Sequence, residues 1–319
     1  MPRLLTISAS PHFHCGRTVS FCMWQVIVAL IPALAVGIYV FGLGAAVVTV
    51  SSVLGCVITE WAITRFMLRR PATIANGSAL LTGLLLAMNL PANLPVWAVL
   101  IGCVAAIGIG KMAYGGLGCN IFNPALVGRV FLLLSFPALM TTWPLPMVDR
   151  GVYPDAATGA TILSQLKSGL VTPDAINIMD KATGLAGGSL GEVGSLALLL
   201  GLVYLLAMRV ISWHIPLSII TTAALLSWAI GCDPLVEVLS GGLLLGAIFM
   251  ATDYVTSPLT HKGMLIYGVA IGAITIVIRH WGSYPEGMSF AILIMNGFTP
   301  LINRYCRPRR FGIGRAARI

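Results

Sequence analysis

Apolar residues run in long, nearly continuous blocks from Phe21 to Ile302, and polar residues collect in the breaks between them. Bounded by charge or by Gly, Pro and Asn, the blocks fall at roughly 21–42, 43–64, 77–90, 95–110, 121–139, 195–208, 214–231, 240–252, 264–279 and 288–303. Blocks of this length without strand-like alternation predict helices, and about 20 helical residues cross the hydrocarbon core of a bilayer. The pattern therefore predicts an all-α, polytopic integral membrane protein with about ten transmembrane helices. Two blocks are too short to span alone: 77–90 and 240–252, about 14 residues each, open with the small polar runs Asn76-Gly77-Ser78 and Ser240-Gly241-Gly242. They are predicted to be broken helices held inside the bundle.

These two blocks also echo each other, Leu80-Leu81-x-Gly83 against Leu243-Leu244-x-Gly246, and an aromatic-Gly turn (Tyr114-Gly115, Trp281-Gly282) leads toward the fifth block of each series. Five spans per repeat force the second copy to be upside down relative to the first, and paired short helices in inverted repeats point to a site near the membrane midplane. The expected organisation is a first five-helix half at 1–139, a polar exterior loop at 140–194, a second five-helix half at 195–303, and a basic tail at 304–319.

Composition agrees with the pattern: only 9% of the 319 residues are charged and 58% are hydrophobic, far from the balance of a soluble domain. The run from Phe21 lacks a small-residue cleavage site and is followed at once by another apolar run, so it reads as a retained helix. The net charge of +9 does not point to nucleic acid, because the bases cluster at span ends: Arg65, Arg69 and Arg70, and six Arg from Arg304 to Arg318. With the N-terminus in the cytoplasm, 14 of the 19 bases fall on the cytoplasmic side and eight of the ten acids on exterior segments. That asymmetry in bases places both termini in the cytoplasm and 140–194 outside. Seven cysteines without a C-x-x-C pair make an iron–sulfur cluster held by this chain alone a poor reading, and the five histidines show no zinc-ligand spacing, so no metal is assigned.

The longest polar stretch contains Asp155-Ala156-Ala157-Thr158-Gly159-Ala160-Thr161. Gly159 permits a tight bend there, and Thr161 is placed to open a short helix. As an N-cap, its oxygen accepts from first-turn N–H groups. Alternatively those N–H groups hold a phosphate esterified to that same oxygen.

Several further stretches carry a resemblance: Ser10-Pro11-His12-Phe13-His14, Asn76-Gly77-Ser78-Ala79-Leu80-Leu81-Thr82-Gly83, Tyr114 through Ala125, Ala251-Thr252-Asp253-Tyr254-Val255-Thr256-Ser257-Pro258, Tyr284-Pro285-Glu286-Gly287 and Met295-Asn296. Together with Thr158-Gly159-Ala160-Thr161 they resemble, over nearly the full length, the D subunits of the Rnf ferredoxin:NAD oxidoreductase complexes and the related B subunits of sodium-pumping NADH:quinone oxidoreductases. The resemblance implies that a flavin transferase joins FMN by a phosphoester to Thr161, with Asp155, Thr158, Gly159 and Ala160 as its recognition motif. It implies a bacterial inner-membrane protein that passes electrons between ferredoxin and NAD, coupled to Na+ or H+ movement. Such a protein is not catalytic alone and works with the A, B, C, E and G subunits of the Rnf complex. Family members commonly carry Pro where Tyr254 stands here.

Asn120, Asn123 and Asp253 are candidates for an ion path or for contacts to a second flavin such as riboflavin; the plainer alternatives are that Asn120 and Asn123 satisfy unwound helix ends and that Asp253 forms a surface ion pair with Lys262 or His261. Ionisable residues within membrane spans need partners. Glu60 is expected to snorkel to the interface or to pair with Arg65, and Arg129 to find an internal partner. A solute channel or transporter built from inverted repeats is the competing functional class.

Overall fold

In a computed structural model the described residues are 18–69, 74–148, 150–167, 187–282, 284 and 286–307. The Ser10–His14 motif, Arg3, Arg17, Arg70, Asp149, Asp174, Asp180, Pro285 and the basic tail beyond Arg307 lie outside them. The helices are α1 (Val19–Phe41), α2 (Leu43–Ala62, continued by a π turn over Ile63–Met67), α3 (Ser78–Met88), α4 (Val96–Val104, continued by a π turn over Ala105–Ile109) and α5 (Pro124–Ser135). After the short α6 (Pro137–Met140), strands β1 (Trp143–Pro144) and β2 (Thr158–Gly159) form an antiparallel pair, followed by α7 (Ile162–Lys167). The remainder is α8 (Ser195–Ala207), α9 (His214–Ile230), α10 (Pro234–Leu239), α11 (Leu243–Leu245, continued by a π turn over Gly246–Met250), α12 (His261–Trp281) and α13 (Met288–Tyr305).

Each of the ten apolar blocks carries helix. Four stretches, Val19–Phe41, Leu43–Met67, Val96–Tyr114 and His261–Trp281, are long and apolar enough to cross a membrane by themselves, and shorter apolar helices accompany them. The chain is a polytopic helical membrane protein.

Small residues set the closest helix contacts. A Cβ at Gly83 would lie 2.7 Å from the Val53 Cα, so α3 lies backbone to backbone against α2, where the Ser52 hydroxyl donates to the Gly83 carbonyl at 2.7 Å. Gly268 brings α12 onto Ser218 of α9, and Gly201 brings α8 onto the Ala29 carbonyl of α1. In lipid such close approach supplies the van der Waals packing that holds helices together.

One contact occurs twice. Lys111, beyond the end of α4, sends its Nζ to Glu60 Oε2 at 2.5 Å and to the hydroxyl of Ser78, the first residue of α3, at 2.7 Å. Arg279, near the end of α12, sends Nη1 to Glu237 Oε2 at 2.8 Å and Nη2 to the carbonyl of Ser240, just before α11, at 2.9 Å. Each broken helix thus begins beside a buried cation and its carboxylate. The aromatic-Gly turns do not match in the same way: Gly115 is left-handed (φ 113) and Gly282 is extended (φ −80, ψ 170).

Candidate functional site

The segment expected to be modified is pinned at one end of the bundle. The ladder pairs Trp143 with Gly159 and Pro144 with Thr158, the Tyr153 hydroxyl donates to the Leu94 carbonyl at 2.7 Å, and Leu43 N donates to the Arg150 carbonyl at 2.8 Å. Gly159 forms no tight bend. It lies extended in β2, where an added Cβ would sit 2.7 Å from Leu145 Cδ2, the end of an exposed side chain that can move aside. Asp155, Thr158 and Ala160 are exposed.

Thr161 is only 6% exposed. Its Oγ1 accepts from the Ser164 amide at 3.3 Å and donates to the Ser164 hydroxyl at 3.1 Å, which is the N-cap arrangement expected for the start of α7. Beyond it, Lys167 donates to the backbone carbonyls of Gly282 and Tyr284. Leu163 reaches Gly241, which is left-handed (φ 66): a Cβ there would lie 2.9 Å from both Leu163 Cδ1 and Arg279 Nη2. The segment therefore rests on the start of the second broken helix.

The other three candidates come together elsewhere. Asn120, Asn123 and Asp253 line a single cavity, with Ser78, Thr82 and Lys111 on its walls and apolar contributions from Leu205 and Phe249. Asn123 caps α5 by accepting from the Ala125 amide at 3.1 Å, and its Nδ2 donates to the Met250 carbonyl at 3.2 Å, where the π turn of α11 ends. The Asp253 carboxylate faces the Asn120 side chain and accepts from the Thr256 hydroxyl at 3.2 Å. Among the described residues it forms no ion pair, so the expected surface pairing with Lys262 or His261 is not found: the turn after α11 aims the carboxylate into the cavity.

The charged residues within the spans are corrected or completed. Glu60 does not snorkel; it is 2% exposed and ion-pairs with Lys111, because α4 brings that lysine to the buried end of α2. Arg129 has internal partners, donating to Asn89 Oδ1 at 2.9 Å, to the Ser289 hydroxyl at 2.8 Å and to Glu286. Lys111, Arg279, Glu192, Glu237 and Glu286 read in the sequence as loop or span-end charges counted for topology. The structure draws them inward, and each has a polar partner.

The whole-chain comparison decides the family: the model of the NQR2, RnfD, RnfE family matches residues 6–312. The chain belongs to that family. Among its curated relatives, the D subunit of the Na+-translocating ferredoxin:NAD+ oxidoreductase complex of Acetobacterium woodii is 46% identical, covering 97% of this chain and 96% of the relative. The D subunit of the proton-translocating ferredoxin:NAD+ oxidoreductase complex of Clostridium ljungdahlii is 43% identical (98% and 97%). The D subunit of the ion-translocating oxidoreductase complex of Stutzerimonas stutzeri is 42% identical (92% and 92%). These full-length matches agree with the resemblance carried by the motifs.

Proposed function

We propose that this chain is a flavin-carrying membrane subunit of an ion-translocating ferredoxin:NAD oxidoreductase, with FMN joined through a phosphoester to Thr161. The observation that carries the reading is the presentation of the motif. Asp155, Thr158 and Ala160 stand exposed on and beside a pinned strand next to Thr161, in a family whose relatives are named for this reaction. The group fits the residues in one respect that can be checked on the oxygen itself. Esterification removes the hydrogen that Thr161 donates to Ser164, but leaves Oγ1 able to accept from the Ser164 amide. Because that oxygen is buried, loading by the transferase requires the first turn of α7 to open. The bound flavin supplies the redox chemistry; the chain positions it and sets its surroundings.

The cavity lined by Asn120, Asn123 and Asp253 is our candidate for contacts to a second flavin such as riboflavin, since it joins apolar walls to a few converging polar groups, as small-molecule sites do. Location in the bacterial inner membrane, cytoplasmic termini, an exterior motif and partnership with the other Rnf subunits belong to the same proposal. One relative is named for Na+ and another for protons, so the ion is left open between those two. The paired broken helices favour a second reading, a solute transporter.

The intact mass of the chain, matured with its transferase present, separates the two. The flavin reading expects one FMN increment and in-gel flavin fluorescence under denaturing conditions, both absent from Thr161→Val, which keeps branching and volume. Thr158→Val should retain a fluorescent product. Fluorescence persisting on Thr161→Val would refute the attachment site, and an unmodified wild-type chain that moves solute alone in liposomes would favour the transporter.

A further inference from the structure

Glu192 lies in the turn before α8 and Glu286 in the turn before α13, and the bundle brings their carboxyl groups within hydrogen-bonding distance of each other. The donors around them can be assigned. Glu286 Oε2 accepts from Arg129, and Glu192 Oε1 accepts from the Ser189 hydroxyl at 2.7 Å. Glu286 Oε1 is shut off from solvent and, among the described residues, has no other hydrogen-bond donor. The remaining charge facing Glu286 is Arg279 of α12, which already holds Glu237 and the Ser240 carbonyl. Asn89 of α3 and Ser289 of α13 complete the surroundings by binding Arg129 rather than the carboxyl groups.

Two ionised carboxylates have no hydrogen to share, and like charges this close cannot both persist in a site shielded from water. We infer that Glu192 and Glu286 form a proton-binding site that holds one proton, with Glu192 the carboxylic acid that donates and Glu286 the carboxylate that faces Arg129. A single proton satisfies the orphaned Oε1 and leaves Arg129 with one matching negative charge.

The electrostatics agree with this division. Burial, then the charge of Glu286, pushes the Glu192 carboxyl well above the ordinary range. Burial raises Glu286 too, but the Arg129 charge and the hydrogen bond with Glu192 outweigh it and leave that carboxyl below its ordinary value. The signs then follow. Because the Glu192 value is raised on folding, its contribution to stability is complete below the unfolded value and is lost as pH rises through the folded one. Because the Glu286 value is lowered, its contribution is present above the unfolded value and is lost as pH falls through the folded one.

Infrared spectroscopy of the full chain in detergent tests the site directly. The chain has only four glutamates, and Glu60 and Glu237 are each paired with a cation, Lys111 and Arg279. Wild-type chain carrying carboxyl-13C glutamate should therefore show, near neutral pH, one isotope-shifted carboxylic-acid band. Absence of any such glutamate band overturns the proposal without a variant being made. Glu192→Gln, whose amide can donate to Glu286 in place of the acid, should fold, abolish the band and remove the loss of melting temperature on the alkaline side. Glu286→Gln, which deprives Arg129 of its anion, should lower the melting temperature more than Glu192→Gln does. A band that survives in Glu192→Gln, or a Glu192→Gln chain that is the less stable of the two, assigns the proton elsewhere and overturns the inference.

Discussion

At the scale of single residues, the charges inside the bundle follow the rule that a buried ion needs a partner with good geometry. Lys111 and Glu60, each 2% exposed, satisfy it, and the Ser78 hydroxyl takes up a further ammonium hydrogen. Lys111→Met would take from Glu60 its paired cation and is expected to destabilise the chain by about 3–5 kcal/mol, read as a fall in melting temperature in detergent. The double variant Lys111→Met/Glu60→Gln should recover most of that loss; a double variant as unstable as the single would show that Lys111 acts through packing instead. That Arg129 must have a partner was legible in the sequence, because a guanidinium within an apolar block has no other way to be accommodated. Which partner was not legible. Glu286 lies 157 residues away, and no local spacing encodes a contact made only when α5 and the turn before α13 meet.

At the scale of elements, helix existence was readable because each block is apolar throughout, while the length of the broken helices was not. Ser240-Gly241-Gly242 announced a break, but α11 keeps only Leu243–Leu245 as α-helix before the π turn, whose last carbonyl, that of Met250, accepts from Asn123. Thr161 as a helix opener was likewise legible from local chemistry, whereas the extended Gly159 was not, because the strand that pairs with it begins 16 residues earlier. The echoed glycines make a prediction at this scale. At Gly83 an added Cβ meets backbone, Val53 Cα at 2.7 Å and the Ser52 carbonyl at 2.8 Å; at Gly246 it meets the flexible Met288 side chain at 2.6 Å. Gly83→Ala should therefore lose on the order of 1–3 kcal/mol through overpacking and Gly246→Ala distinctly less. Thermal denaturation of the two purified variants checks the order, and equal losses would mean that α3 can shift away from α2 at little cost.

At the scale of the whole molecule, the arrangement of bases predicts which end faces which compartment. Cys119 is exposed in the turn before α5 and is a natural probe for the end that carries Lys111; Ala157→Cys probes the end that carries the motif. A membrane-impermeant thiol reagent applied to intact cells should label Ala157→Cys, and Cys119 should react only after the membrane is opened. The reverse pattern would turn the chain over and remove the argument for an exterior transferase. The two cation-anchored helix starts, Lys111 with Ser78 and Arg279 with Ser240, lie at opposite ends of that axis in this reading, as an inverted duplication expects. Arg129 has a mechanical meaning beyond its charge. It belongs to the chain before the motif and grips Ser289 and Glu286 after it, while Asn123 ties the same two parts together at Met250. A machine that works by rocking one block against another needs a slip plane, and here the guanidinium of Arg129 bridges the two parts across it. The proposed flavin-carrying role asks for such cross-ties, since a scaffold held together in this way keeps the gaps between electron carriers set.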